Sequence, residues 1–346
     1  MIVLEKLEAS PLMQLNIFLA MSLPGRQSWV NPYFYEKGYE ILSIEPELSL
    51  PPTVIKKLVD NDFEYISSPR PELILYNQNK GAAIILECKN NSFDINQEDK
   101  RERKQLISFF IYNHKILSDS HGLPGLNEDV FLLYNIMQTD YLSEFNSGLS
   151  RLKLDLENSG FKDLNIPLLS TLNVKDKNLY FTFYNENLPD IFDNDVRVMY
   201  VESGNVDPSL YIIPIDSTGQ TDKLGEIVFR KRLKNQLIQQ INNIYEADSG
   251  NIDIEIILKN IINVWDVWFN DETKKYIKRI ARDYINDILR KLEETIKDFE
   301  IEQAGYEFKI LKMDRDIVNE IKKEYIKVGI KREDDREIMQ IPFDFN

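Results

Sequence analysis

One cysteine, Cys88, and two histidines, His114 and His121, are all that the 346 residues contain of these types. A lone cysteine excludes an intramolecular disulfide and fits a reducing cytoplasm. Two histidines cannot build a multi-histidine zinc site, and serine–histidine chemistry is poorly provided for. No apolar run approaches the roughly 18 residues that a membrane span needs. No N-terminal apolar stretch with a cleavage site is present either, so the expectation is a cytoplasmic protein with no membrane partner. Basic residues are also short: 42 Lys and Arg face 57 Asp and Glu, for a net charge of −15. That balance argues against nucleic-acid binding by the whole surface and leaves only a local basic groove for it. Internal repeats and low-complexity segments are absent.

What is plentiful is core material. Hydrophobic residues make up 43% of the chain, with 18 Phe and 17 Tyr, enough for two domains or one large domain with an appendage. The link D-S-T-G-Q-T at 216–221 is the best boundary, separating residues 1–216 from a region at 222–346. Before it, the patterns predict a helix over 12–21 capped by Ser10-Pro11, a short helix over 53–59 and a strand over 63–67. A helix is expected over 94–117, a strand at 130–137, a helix at 142–158, and strands at 179–184, 196–201 and 210–215. Beyond it, helical patterns fill 224–245, 252–269 and 272–299, then a strand at 306–311 and a helix at 317–328.

The most informative stretch is 69–91, P-R-P-E-L-I-L-Y-N-Q-N-K-G-A-A-I-I-L-E-C-K-N-N. Its apolar runs at 73–76 and 82–86 flank a polar link ending in glycine, the pattern of a β-hairpin. The second run does not alternate, so it predicts a strand buried on both faces. With the loop centred near Asn79, antiparallel pairing puts Glu72 opposite position 86, about one residue from Glu87. Glu87 and Lys89 are two apart and share a face. Two carboxylates thus converge beside one ammonium. Like charges opposite each other destabilise a sheet, and a bound divalent cation reverses that cost. Carboxylate oxygens suit a hard ion such as Mg²⁺.

Pro71-Glu72, then Glu87-Cys88-Lys89 at the end of an apolar strand, resembles the P-D/E…(D/E)-x-K signature of the PD-(D/E)xK nuclease superfamily. Glu72 stands where Asp is commoner. E-x-K alone says little, since it recurs at Glu98–Lys100, Glu102–Lys104, Glu272–Lys274, Glu307–Lys309 and Glu320–Lys322. The Glu87 copy differs in following a buried run and a Pro-acid step one strand earlier. The resemblance implies an α/β restriction-endonuclease-like αβββαβ core with a mixed sheet, here followed by a mainly α-helical C-terminal region. It implies Mg²⁺ (or Mn²⁺) held by Glu72, Glu87 and the backbone carbonyl of Cys88, with Lys89 catalytic beside the phosphate. It also implies DNA as substrate and restriction, antiviral defence or repair as the setting. An additional acid from an upstream element remains open among Glu36, Glu40 and Glu64.

Three basic clusters are candidate nucleic-acid contacts, one of them Arg230, Lys231, Arg232 and Lys234. Lys100, Arg101, Arg103 and Lys104 open the helix after the motif, interleaved with Glu102. Lys274, Lys278 and Arg282 recur at i, i+4 and i+8 and form one stripe. Each also reads as the wet face of a helix. Trp265, Trp268 and Phe269 read as core or an interhelical contact rather than as a stacking platform. The expectation is a metal-dependent DNA endonuclease acting as a homodimer or as a subunit of a multi-protein complex. Two alternatives stay open: a non-catalytic scaffold of the same fold, and an RNA-cleaving enzyme.

Overall fold

Ser10 accepts a hydrogen bond from the Met13 N–H at 3.4 Å, and Pro11 supplies a pre-set φ, so helix α1 starts there and runs Pro11–Ser22. The computed structural model describes residues 5–323, apart from 6, 9, 26–29, 92–94, 98–99, 124, 128, 138–141, 186–187, 202–207, 216–222, 248–250, 298, 312–315 and 322. α1 is buried at every position from Met13 to Ser22, so it forms the interior of its unit rather than a surface layer. Two buried amides on it hold other segments. Asn16 donates to the Ile213 carbonyl at 2.9 Å and accepts from the Ile213 N–H at 2.7 Å. Gln14 reaches the sheet described next.

Seven strands form one mixed sheet in chain order: β1 Glu40–Ile44, β2 Leu73–Asn77, β3 Ala82–Lys89, β4 Val130–Ile136, β5 Ile166–Lys175, β6 Asn178–Phe183 and β7 Asp195–Tyr200. β1, β2 and β3 pair antiparallel, β3, β4 and β5 parallel, and β5, β6 and β7 antiparallel. Parallel pairs need crossovers. Here α4 Arg101–Ile111 and α5 His114–His121 connect β3 to β4, and α6 Leu142–Asn158 connects β4 to β5. The short helices α2 Tyr33–Glu36 and α3 Pro52–Asp60 precede β1 and β2 respectively. β3 is buried from Ala82 to Cys88 and β4 throughout, as continuous apolar runs demand. One core joins Ile74, Ala83, Ile85, Leu132 and Tyr134 of the sheet to Leu106, Phe109, Phe110, Leu149 and Leu152 of α4 and α6. Asn135 alternates with Tyr134 and points to the other face, where it donates to Gln14 of α1 at 2.9 Å.

The chain divides into two compact units, 1–213 with 266–270, and 214–265 with 271–346. The second unit contains α7 Lys223–Ala247, α8 Ile254–Ile261 and α9 Asp271–Thr295, with a small sheet of β8 Asn251–Asp253, β10 Glu307–Ile310 and β9 Ile301–Ala304 in that order. α9 buries Ile277, Ala281, Ile285 and Leu289, an i+4 stripe on one face. No helix among the described residues is long and apolar enough to cross a membrane.

Several elements differ from the sequence expectation. Residues 63–67 are not a strand: the Ile66 N–H and carbonyl are both taken by the Ser108 hydroxyl, at 3.0 and 2.7 Å. Pro69 and Pro71 then deny this segment the donors of a ladder. β1 takes the expected place beside β2 instead. Residues 210–215 are not a strand, because Asn16 captures the backbone of Ile213. The helix over 94–117 is two, since Asn113 caps a new start by accepting from the Ile116 N–H at 3.3 Å. The segment 252–269 is strand β8, helix α8 and a 3₁₀ turn, Trp265–Val267, with Asp253 capping α8 through the Glu255 N–H at 2.7 Å. β5 is not announced by the pattern, because Pro167, Ser170, Thr171 and Asn173 interrupt its apolar period. The helix expected at 317–328 lies beyond the described residues from 324 onward.

Candidate active site

The β2–β3 register decides the site. Leu73 pairs with Leu86 and Asn77 with Ala82, so the next position along puts Glu72 opposite Glu87. The hairpin turns between Asn79 and Lys80 rather than at Asn79, which moves the pairing by one residue from the expected 86. Gly81 closes the turn in the left-handed region, at φ 61°. The Glu72 carboxylate accepts from the Cys88 N–H at 2.9 Å, beyond the last ladder pair.

The three motif side chains are together. Lys89 Nζ lies 2.6 Å from Glu87 Oε1, with Glu87 only 2% exposed and Lys89 23% exposed. Glu87 Oε2 is buried with no partner. Glu72 keeps partial exposure as a residue, yet its carboxyl is desolvated. That desolvation, followed by the negative charge of Glu87 and a hydrogen bond to it, raises the Glu72 pKa well above the usual carboxylate range. Burial works to lower the Lys89 pKa, but Glu87 and Glu72 outweigh it and hold the ammonium charged. Cys88 is buried, and its thiol is pushed up by burial and then by the charges of Glu72 and Glu87. It is an inert thiol there.

Two residues join the site that sequence reasoning did not assign to it. Tyr134 is the parallel partner of Glu87 across β3–β4. Its phenol is held protonated by burial first, then by Glu87, Glu72 and Glu102. Glu102, in the first turn of α4, also adds to the raised pKa of Lys89. An acid in a first turn is legible as a helix-start preference; its nearness to Lys89 is not.

Of the proposed upstream acids, Glu64 pairs with Lys104 at 2.6 Å, Glu40 pairs with Tyr76 at the far end of β2, and Glu36 lines an open concavity of about 490 Å³ with Lys37, Asp193 and Arg197. Of the basic run, Lys100 caps α4 without a side-chain bond, Arg101 is exposed, and Arg103 Nε is buried with no partner.

The α9 stripe is engaged within its own unit. Lys278 pairs with Glu255, and Lys274 and Lys278 sit 5.0 and 5.9 Å from the Trp265 ring. Arg282 binds Asp283 at 2.7 Å and lies 5.7 Å from the Tyr306 ring. Trp265 and Trp268 are buried, at 1% and 3% exposure, whereas Phe269 is 59% exposed rather than core.

Two neighbouring carboxylates, one with a raised pKa and one with an oxygen that has no donor, are a set that could hold a divalent cation. Among the described residues no group of three or more His, Cys, Asp or Glu side chains stands ready to hold a metal. A cation here would complete its shell with the Cys88 carbonyl and water. No curated protein and no solved structure matches the chain. Residues 12–174, from α1 through β5 and including all five site residues, are similar to the MJECL32 domain family.

Proposed function

We propose that this protein is a divalent-metal-dependent endonuclease of the PD-(D/E)xK type acting on DNA. The observation that carries the reading is the Glu72–Glu87 pair at the end of a buried strand, with Lys89 against it and Glu87 Oε2 unpartnered. The element order gives further support: a buried helix, three antiparallel strands, a helical crossover and a parallel strand.

Glu72, Glu87 and the Cys88 carbonyl would hold Mg²⁺ or Mn²⁺. A bound cation supplies charge neutralisation at phosphate and a more acidic water. A bound cation would favour the ionised form of Glu72. Lys89, held charged and 23% exposed, would face a phosphate oxygen. Glu102 helps keep it charged. Tyr134, the parallel partner of Glu87, stays protonated. Lys100, Arg101 and Arg103, at the start of the helix bearing Glu102, are the basic residues suited to the DNA backbone. Restriction, phage defence or repair is the setting, with a homodimer or a larger complex as the working form.

The experiment is incubation of plasmid DNA with the purified protein, with Mg²⁺ and with EDTA, for wild type, Glu87→Gln and Lys89→Ala. Cleavage in wild type with Mg²⁺ alone is the expected result, and its absence sinks the enzyme reading. The scaffold reading has one observation in its favour: the Lys89–Glu87 ion pair already offsets the Glu87 charge without metal. An inactive wild type would leave that reading standing.

A further inference from the structure

Glu45 follows β1 and has φ 48°, a left-handed conformation that a non-glycine residue adopts at a cost. What holds it there reaches Glu72. The β1–β2 ladder ends at Ile44 paired with Leu73. One step further, the Glu45 N–H donates to the Glu72 carbonyl at 3.0 Å. On its other side Glu72 faces β3, where its carboxylate takes the Cys88 N–H at 2.9 Å. The main chain of Glu72 is therefore gripped on the β1 side through Glu45.

Glu45 is in turn held by residues far away in sequence. Trp268 Nε1–H donates to Glu45 Oε2 at 2.9 Å. The Phe269 N–H donates to the Ile44 carbonyl at 2.9 Å, and Ile44 and Trp268 form an isolated parallel bridge. The Trp268 ring is 3% exposed. Residues 266–270 belong to the first unit although the chain on both sides belongs to the second. They also lie outside the segment similar to the MJECL32 domain.

We propose that Trp268 is a positioning residue for the candidate site: by fixing the Glu45 carboxylate it keeps Glu45 in its left-handed turn, and so keeps Glu72 opposite Glu87. This rests on the reading of Glu72 as a site residue. Without the indole donor, Glu45 relaxes toward extended backbone, withdraws its N–H from Glu72, and leaves the Glu72 carboxylate free to leave the Cys88 N–H.

The test is amide hydrogen exchange on the metal-free, full-length protein, comparing wild type with Trp268→Phe, which keeps a buried ring and loses the N–H. The Glu45 and Cys88 amides should exchange about tenfold faster, the effect of losing one hydrogen bond's worth of protection. Leu172 and Phe181, central in β5 and β6, should be unchanged. Magnesium-dependent plasmid cleavage should fall in kcat with KM for DNA retained. Unchanged exchange at Glu45 and Cys88 overturns the proposal, and so does a uniform acceleration that includes Leu172 and Phe181, since that marks a merely structural role. Glu45→Ala removes the acceptor while leaving the indole in place. It carries the same expectation if Trp268→Phe does not fold. A wild type that cleaves nothing overturns the nuclease reading alone, because the exchange measurement needs neither metal nor DNA.

Discussion

Burial, then the charge of Glu87, raises the Glu72 pKa, and that sets a pH signature. Its folded pKa lies above its unfolded one, so between the two the metal-free folded protein binds more protons than the unfolded chain. Stability from this group is full below the ordinary carboxylate range and declines as pH rises through the raised value. Denaturant unfolding of the metal-free protein should show that decline, and Glu72→Gln should flatten it. A cation competes with protonation of Glu72, so Mn²⁺ affinity measured by calorimetry should rise with pH and its binding should release a proton. Lys89→Ala leaves the two acids facing each other. Since Lys89 is 23% exposed, the cost should be about 2 kcal/mol, below that of fully buried pairs, and smaller in acid, where the carboxylates protonate. Cleavage should fall by about 10²–10³ for loss of one preorganised charge. An equal loss of stability at acidic and alkaline pH would contradict the pairing.

At the scale of elements, the hairpin and the segment leading into it hold the site in register. Gly81 has φ 61°, and a Cβ there would collide with the Gly125 carbonyl oxygen. Gly81→Ala should therefore cost at least about 2 kcal/mol by thermal or chemical unfolding. Ser108 is fully buried in α4 and satisfies both backbone groups of Ile66. Ser108→Ala should cost about 1–3 kcal/mol, because a buried donor and acceptor lose their partner together. If the mutant unfolds at the wild-type denaturant midpoint, the 63–71 segment is not held this way. The hairpin itself was legible: apolar runs, a glycine-ended link and a Pro-acid step mark it, and only its pairing shifted by one residue. The strand expected over 63–67 was not legible as loop, because the competitor for its backbone is a side chain 42 residues away.

The whole molecule has two compact units, and two units unfold independently unless their cores are shared. Scanning calorimetry should resolve two transitions. Mg²⁺ should raise only the one belonging to the unit that contains Glu72 and Glu87, by about 2.7 kcal/mol of stability at a hundredfold excess over Kd. A shift in both transitions, or in neither, would count against a single metal site in that unit. The basic stripe on α9 is already matched by Glu255, Asp283 and aromatic rings of its own unit, and the net charge is −15. Backbone contacts to DNA should therefore be few, with a shallow dependence of binding on salt.

The sequence by itself determined what is local. Spacing of two along a strand placed Glu87 and Lys89 on one face, and the unbroken apolar run buried that strand. Ser10-Pro11 started α1, and the i+4 period buried one face of α9. Tertiary structure alone decided which distant residues meet. Tyr134 stands beside Glu87 only because a parallel crossover sets β4 beside β3. Asn16 turns 210–215 away from a strand by taking the Ile213 backbone. Trp268 reaches Glu45 across 223 residues. Backbone periodicity is written in neighbouring residues; the partner of a buried hydrogen bond is chosen by the packing of segments whose separation along the chain carries no signal of their approach.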